Sequence, residues 1–151
     1  MTVIRYLIDD KVNKRTTSKQ VLNFLRSDIR HVEEIYCEGT FTDKDVSELC
    51  QIFLSNVADV NVKVLYLGNN ELTIKSDEAI AKVLYSNTTN TNLDLRHNEL
   101  GNEGVEALIQ PLLSQNQTLK SLILKNNKLS HKISSKLGIL LNRNNALEEL
   151  H

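Results

Sequence analysis

The chain has 151 residues, of which 40% are hydrophobic and 25% are charged, and its formal net charge is −1. These values are typical of one folded domain and exclude an intrinsically disordered chain. The 18 basic residues are scattered among 19 acidic ones and form no stripe, so no nucleic-acid partner is expected.

The first 31 residues predict an N-terminal cap. Residues 3–8 form one apolar, strand-like run, and residues 18–26 have the apolar spacing of a helix. Thr17 and Gln20 match the capping box that opens many helices. We therefore expect residues 1–31 to form an N-terminal cap or a degenerate first unit.

The rest of the chain repeats the pattern L-x-x-L-x-L-x-x-N-x-L. The pattern is complete in units that begin at Val62 and Leu119, whereas the unit between them carries Asn90 in place of the first leucine. Val32 begins an earlier, degenerate unit in which Thr40 takes the place of the asparagine. The predicted units are residues 32–61, 62–89, 90–118 and 119–146, followed by the start of a further one.

Each unit is predicted to contribute one short strand whose leucines point into the core. The asparagine after the strand is expected to satisfy backbone groups at a sharp turn, which predicts a structural ladder of Asn70, Asn98 and Asn127. Thr40 offers only a hydroxyl at this position. We therefore expect the first turn to be less well satisfied and locally irregular.

Helical spacing follows each strand. Apolar residues recur every three or four positions at residues 79–84 and 105–112, which predicts one apolar stripe on each helix. Further helices are predicted at about Asp43 to Ser55, opened by Thr42, and at about Ser130 to Asn142. Every complete unit is therefore a strand followed by a helix.

Residues 100–108, Leu-Gly-Asn-Glu-Gly-Val-x-Ala-Leu, and residues 116–119, Asn-x-Thr-Leu, resemble the ribonuclease-inhibitor type of leucine-rich repeat. Residues 76–84 and 87–89 carry similar motifs, and the period of 28 to 29 residues agrees with that subclass. The resemblance covers about residues 32–151. It implies an α/β leucine-rich-repeat solenoid: a right-handed horseshoe segment with a parallel concave sheet and convex helices, all in one domain.

The same resemblance implies an interaction module, because similar proteins are inhibitors, cytoskeletal regulators, sensor domains or host-directed effectors of intracellular bacteria. No catalytic residue, cofactor or metal site is implied. The four histidines have no metal-ligand spacing and are expected at the surface, and Cys37 occupies an inward strand position, where core packing is expected. We therefore predict that the chain is not an enzyme.

The partner is expected on the concave strand face, because outward positions of successive strands stack in register there. Tyr66, Arg96 and Ile123 are predicted to contribute most to binding, since aromatic, arginine and exposed apolar residues dominate interface energies. The convex helices, or the loop edge with Asn69 and His97, remain the alternatives. The complete set of candidate partner-binding residues is Tyr36, Glu38, Tyr66, Asp94, Arg96, Ile123 and Lys125; Asn126 belongs to the loop-edge alternative.

The predicted function is binding of a protein partner of unknown identity, and the alternative is a recognition arm or fragment of a larger effector, enzyme or sensor. Leu147 and Leu150 begin a repeat that is not finished, which predicts either further chain or self-association through an uncapped C-terminal edge.

The expected location is the cytoplasm, with delivery into a host cell as a secreted effector as the alternative. The start of the chain lacks a signal-peptide pattern, and no apolar run approaches the about 20 residues of a membrane span. The two cysteines do not form a disulfide framework, which favours a reducing compartment. No membrane contact is therefore predicted.

Overall fold

The computed structural model describes residues 17–86 and 88–151, and the strand predicted at residues 3–8 lies outside them. Strands and helices alternate along the described chain after a first helix. The helices are α1 Ser18–Ser27, α2 Asp43–Ser55, α3 Ile74–Ser86, α4 Gly101–Ser114 and α5 Ser134–Arg143. The strands are β1 Glu34–Tyr36, β2 Val64–Tyr66, β3 Asn92–Asp94, β4 Ser121–Ile123 and β5 Glu149–Leu150.

Within the described residues the strands form one parallel sheet in the order β1-β2-β3-β4-β5. Each strand is joined to the next by a helix, and each helix packs against the helix of the neighbouring unit. Parallel strands need such crossovers, and a helix of about three turns supplies one. This arrangement confirms the predicted α/β leucine-rich-repeat solenoid.

The helix starts follow the local sequence. Thr17 and Thr42 cap α1 and α2 as predicted, and each forms a capping box, with Gln20 and Asp45 as the reciprocal partners. The last helix begins at Ser134 and not near residue 130. The reason is that the hydroxyl of Ser130 caps a 3₁₀ turn at His131–Ile133, which precedes the α-helix.

The core lies between the sheet and the helices. It is built from the inward strand leucines, such as Leu65 and Leu93, and from the apolar stripes of the helices, such as Leu108. Cys37 and Cys50 are buried in it as free thiols, and burial raises the pKa of both, that of Cys50 to about 12. The core position predicted for Cys37 is therefore confirmed.

The predicted asparagine ladder is present. Asn98 is 4% exposed, and its amide group donates to the carbonyl oxygens of Leu67 and Leu95, both at 2.9 Å. Its Oδ1 accepts the backbone N–H groups of Asn70 at 3.1 Å and Leu72 at 2.9 Å. Asn127 is buried in the equivalent place and donates to the carbonyl of Leu95. Each asparagine therefore joins its own turn to the turn of the preceding unit.

The turn at Thr40 is irregular in one respect and regular in another. The N–H of Gly39 donates to the carbonyl of Asn69, one residue further along than the equivalent bonds of the later turns, and the Thr40 hydroxyl is buried without a partner in the structure. The backbone N–H groups of Thr40 and Phe41 nevertheless both donate to Asn70 Oδ1 at 3.0 Å. The expected loss of backbone hydrogen bonds is thus wrong, because the asparagine of the next unit supplies them.

No helix of the described residues is long and apolar enough to span a bilayer.

Candidate functional site

The outward side chains of the strands form columns across the sheet, which we call the concave face. The register pairs Tyr36 with Tyr66, Tyr66 with Asp94 and Asp94 with Ile123. A second column lies just past the strand ends, two residues beyond the first: Glu38, Gly68, Arg96 and Lys125. All seven residues that the sequence analysis selected therefore lie in two adjacent columns of one surface.

The aromatic side chains of this face contact each other. The rings of Tyr36 and Tyr66 are stacked, with centroids 5.7 Å apart and an interplanar angle of 28°. The guanidinium of Arg96 lies over the Tyr66 ring, with its central carbon 5.7 Å from the ring centroid. A cation over an aromatic face is attracted to the π electrons, so Tyr66 and Arg96 hold one another in place.

Asp94 holds the guanidinium of Arg96 in place. Its Oδ2 accepts a hydrogen bond from Nε of Arg96 at 2.7 Å and lies 2.6 Å from Nη2 in an ion pair, while its Oδ1 accepts the Arg96 backbone N–H at 3.0 Å. The hydrogen bond that Arg96 donates to Asp94 raises the pKa of the Arg96 guanidinium above its usual value. Because Asp94 is only 7% exposed, it supports the surface through Arg96 and offers little area of its own.

Gly68 provides the room in which Tyr66 and Arg96 meet. A Cβ at this position would lie 3.0 Å from Cγ of Arg96 and 3.2 Å from Cζ of Tyr66, which is too close for ordinary van der Waals contact. Any larger residue would therefore push these two side chains apart. The absence of a side chain in this one position of the column is part of the site.

Burial shapes the chemistry of Tyr66. Partial desolvation, with smaller contributions from the carboxylates of Glu38 and Asp94, raises the pKa of its hydroxyl, although Arg96 and Asn69 act in the opposite direction. The phenol therefore stays protonated at neutral pH and remains a hydrogen-bond donor as well as an apolar surface.

A shallow cleft runs across the middle of the concave face, with a volume of about 170 Å³. Tyr66, Arg96 and Ile123 line it together with backbone and side-chain atoms of β3 and β4. All three side chains are half-buried. The three residues predicted to contribute most to binding are thus brought to one depression.

The loop edge is the nearest competing surface. Asn69, His97 and Asn126 take left-handed backbone conformations, with φ of 57°, 54° and 59°. The amide of Asn126 lies 3.2 Å from Nε2 of His97. Asparagine tolerates this conformation better than most residues, so the turn geometry alone accounts for its presence here at two of the three positions.

Two buried asparagines at the helix-to-strand turns form a second ladder. The amide of Asn116 donates to the carbonyl of Leu84 at 2.7 Å, and that of Asn144 donates to Leu112 at 2.6 Å. Each accepts two backbone N–H groups from the residues that follow it. Asn116 also matches a glycosylation motif, but at 5% exposure its amide is engaged in the turn.

Sequence reasoning missed a buried carboxylate on α3. Asp77 is 1% exposed, and neither of its carboxylate oxygens has a hydrogen-bond partner in the structure. Burial, with a smaller contribution from Asp43, raises the pKa of Asp77 to about 7. The signal was present in the repeat, because Val46 and Val105 are buried at the equivalent positions of the neighbouring helices.

The side chains that could hold a metal ion are scattered in the part of the chain that the structure describes. Among residues 17–86 and 88–151, no three side chains of the His, Cys, Asp or Glu type converge as metal ligands. All four histidines are exposed, as expected.

Comparisons with known proteins agree with the leucine-rich-repeat fold. The family model described as "Leucine Rich repeat" matches residues 86–108 and 115–135. The mouse protein "NACHT, LRR and PYD domains-containing protein 4B" is 31% identical over 125 residues, which are 82% of this chain and 14% of that protein. Mouse ribonuclease inhibitor is 30% identical over 98 residues, 65% of this chain and 21% of the inhibitor. The chain thus matches only a minor part of each curated relative.

Two solved structures share the fold. The structure "Leiomodin-1 Actin-Binding Site 2 (ABS2)" superposes with a TM-score of 0.79 at 24% identity, over 91% of this chain and 79% of the other. The C-terminal domain of tropomodulin from Caenorhabditis elegans gives a TM-score of 0.75 at 14% identity, over 89% and 81%. At these identities the likeness concerns the fold alone.

Proposed function

Because the chain is a leucine-rich-repeat protein of the ribonuclease-inhibitor-like type, we propose that it binds a protein partner through the concave face. The observation that carries this proposal is the arrangement of Arg96, which a hydrogen bond and an ion pair to Asp94 and the ring of Tyr66 hold in one position. A side chain that is ordered before binding loses less conformational entropy on binding.

The composition of the cleft supports the same proposal. Binding energy concentrates in a few aromatic, arginine and apolar residues, each often contributing about 2 kcal/mol or more when centrally buried. Tyr66, Arg96 and Ile123 are of these types, line one depression and are half-buried, so a partner can cover the rest of their surface. The cleft is shallow, which suits a protein surface better than a small molecule.

The test is capture of partners from lysate with three purified proteins. They are the unmodified chain, a concave variant with Tyr66→Ala, Arg96→Glu and Ile123→Asp, and a matched convex variant with Tyr85→Ala, Lys82→Glu and Ile74→Asp. The convex positions are exposed residues of α3, and their substitutions are closely similar in chemical type. Circular dichroism and thermal unfolding establish that all three are folded.

We expect a partner that the unmodified chain and the convex variant retain and the concave variant loses. Loss from the convex variant alone would place binding on the helices and contradict the proposal. Retention by all three would contradict it as well and direct attention to the loop edge at His97.

The alternative is that the chain acts as the recognition arm of a larger protein. It is supported by the comparisons, since the matched segment amounts to 14% of the mouse NACHT protein. An antibody against the chain, used on a lysate of the source cells, distinguishes the two: a band near 17.2 kDa supports the free-standing module, and a much larger band supports the arm.

Related proteins of this family are binding modules. We propose that this chain likewise has no catalytic activity, no cofactor, no nucleic-acid partner and no membrane contact. The cytoplasmic location, with delivery into a host cell as the alternative, is likewise a proposal.

Self-association through Leu147 and Leu150 also stays a prediction. Both side chains are only partly buried against the core. Light scattering of the 151-residue chain should show dimers at high concentration, and a strict monomer would contradict the prediction.

A further inference from the structure

We propose that the partner presents its charges in a fixed order across the concave face, with a basic group against Glu38 and a carboxylate against Lys125 and the outer edge of Arg96. This inference rests on the proposed function, because it assigns a chemistry to the occupant of the same face. The occupant is a protein segment that crosses the strands, basic toward β1 and acidic toward β4.

The order follows from the column that contains both charges. Glu38, Arg96 and Lys125 each lie two residues beyond positions that the register pairs across the sheet. Neighbouring strands are about 4.8 Å apart, so Glu38 and Lys125 are separated by three strand spacings, or about 14 Å. Among the described residues, these two side chains form no ion pair with each other.

Neither carboxylate at the acidic end forms an ion pair within the described residues, although the Arg96 guanidinium lies close enough to interact electrostatically with Glu38. Glu38 is exposed, and its Oε1 accepts a hydrogen bond at 2.7 Å from the neutral amide of Asn69. Glu34, in the flanking column of the same strand, accepts a hydrogen bond from the hydroxyl of Tyr36 at 3.1 Å. Both carboxylates therefore accept these hydrogen bonds from neutral donors, and neither is held in an ion pair, so each can receive a basic side chain.

The basic end has the opposite character. Lys125 is exposed and has no carboxylate partner among the described residues. Arg96 beside it directs Nε and Nη2 to Asp94, which leaves donors on its other edge for a second acceptor. A carboxylate placed between Lys125 and this edge would meet one uncompensated charge and one ordered set of donors.

Elsewhere on this chain, neighbouring units pair their charges directly. Lysine–glutamate ion pairs cross from one unit to the next at Lys63–Glu33, Lys120–Glu148, Lys128–Glu99 and Lys136–Glu106. The second column of the concave face differs from this pattern, because Glu38 and Lys125 lie at its opposite ends. Between them lie the rings and side chains of the cleft, so the segment carries apolar groups between its two charges.

The experiment uses a displayed library of random peptides as the probe, selected on the immobilised chain. Selected peptides are then measured against a reversed variant with Glu38→Lys and Lys125→Glu, which keeps the net charge and reverses its order. The matched control exchanges Glu78→Lys and Lys82→Glu, an exposed ion pair on the helical side. A third variant, Ile123→Asp, reports on use of the concave face itself.

We expect selected peptides to carry basic and acidic residues in separate halves. They should lose at least about tenfold in affinity on the reversed variant, the loss of roughly one charge-pair interaction, and none on the helical control. Peptides that lose affinity for the Ile123→Asp variant but bind the reversed variant as tightly as the unmodified chain would overturn the charge order. The proposed function would then still stand. Peptides that bind every variant, or a selection that yields none, would overturn both.

Discussion

The carboxyl group of Asp77 on α3 lies directly against Gly104 on α4, so closely that a Cβ on Gly104 would overlap with Oδ2 of Asp77. An unpartnered acid in this interface costs stability, because a buried polar group without hydrogen bonds loses its hydration and gains nothing in return. The glycine is what allows it to fit, since α3 and α4 pack closely at this point.

Substitution of the glycine tests this contact. Gly104→Ala should destabilise the chain by about 1–3 kcal/mol, because the added methyl group overlaps with the carboxylate. In an Asp77→Ala background the same substitution should cost much less. Urea unfolding of the four proteins of this cycle gives the coupling. Gly138→Ala is the matched control, with nothing within 4 Å of the added Cβ, and should be neutral or stabilising; equal costs in both backgrounds would contradict the contact.

The same carboxyl makes stability depend on pH. Its pKa is about 7 in the folded chain and about 3.9 when unfolded, so the folded state binds more protons between these values. The free energy of unfolding is therefore not lowered by this group below about pH 4, and it falls as the pH rises from there through about 7. Asp77→Asn and Asp77→Val should each gain on the order of 2 kcal/mol more at about pH 8 than at about pH 5.

Thermal and urea unfolding at the two pH values measure this difference. Asp59→Asn, a substitution of an exposed aspartate, should show no such gain. A wild-type stability difference between the two pH values that persists unchanged in both Asp77 variants would contradict the assignment.

The asparagine ladder predicts a large effect at one position. Asn98→Ala would leave the N–H groups of Asn70 and Leu72 without their side-chain partner, whereas the carbonyl of Leu67 would keep the amide of Asn70 as a donor. Each buried N–H group so deprived costs about 1–3 kcal/mol, and the two together should cost about 2 kcal/mol or more. Asn142→Ala, at an exposed site on α5, should change stability by less than about 0.5 kcal/mol. A loss at Asn98 as small as that of the control would show that water replaces the ladder.

Loss of the Asp94 charge is expected to affect the order of the Arg96 side chain more than the stability of the fold. Asp94→Asn removes the charge that holds the Arg96 guanidinium, and because Arg96 is partly exposed the stability cost should be only about 0.5–1 kcal/mol. Nitrogen relaxation of the Arg96 Nε–H group should nevertheless show faster, wider motion. Asp59→Asn serves as control. An unchanged Arg96 signal would mean that Tyr66 alone fixes the side chain.

Residues under strong local constraint were predictable from sequence. The helix at Asp43–Ser55 matches its prediction in both ends, because the capping box of Thr42 and Asp45 defines its start and the apolar spacing defines its face. The start of α5 was not, since Ser130 can cap either an α-helix or a 3₁₀ turn. A cap signal shows where a helical turn begins but not which kind follows.

Contacts between units were harder to predict. The asparagines were identified, yet the pattern does not reveal that each also completes the preceding turn, which depends on how the units stack. Asp94 was expected outward, and only the structure shows Arg96 folding back over it. The buried position of Asp77 is not predicted by the sequence, because the amphipathic pattern is a property of the whole helix. One charged residue on the buried side changes this pattern very little.

The direction of the asparagine ladder has a consequence for synthesis. The N–H groups of Thr40 and Phe41 bond to Asn70, 30 and 29 residues later in the chain. A turn that has left the ribosome therefore waits for a further unit to emerge before its hydrogen bonds close. The asparagine that accepts the hydrogen bonds of a turn is synthesised only after the turn itself, so the most recently synthesised turn always lacks them.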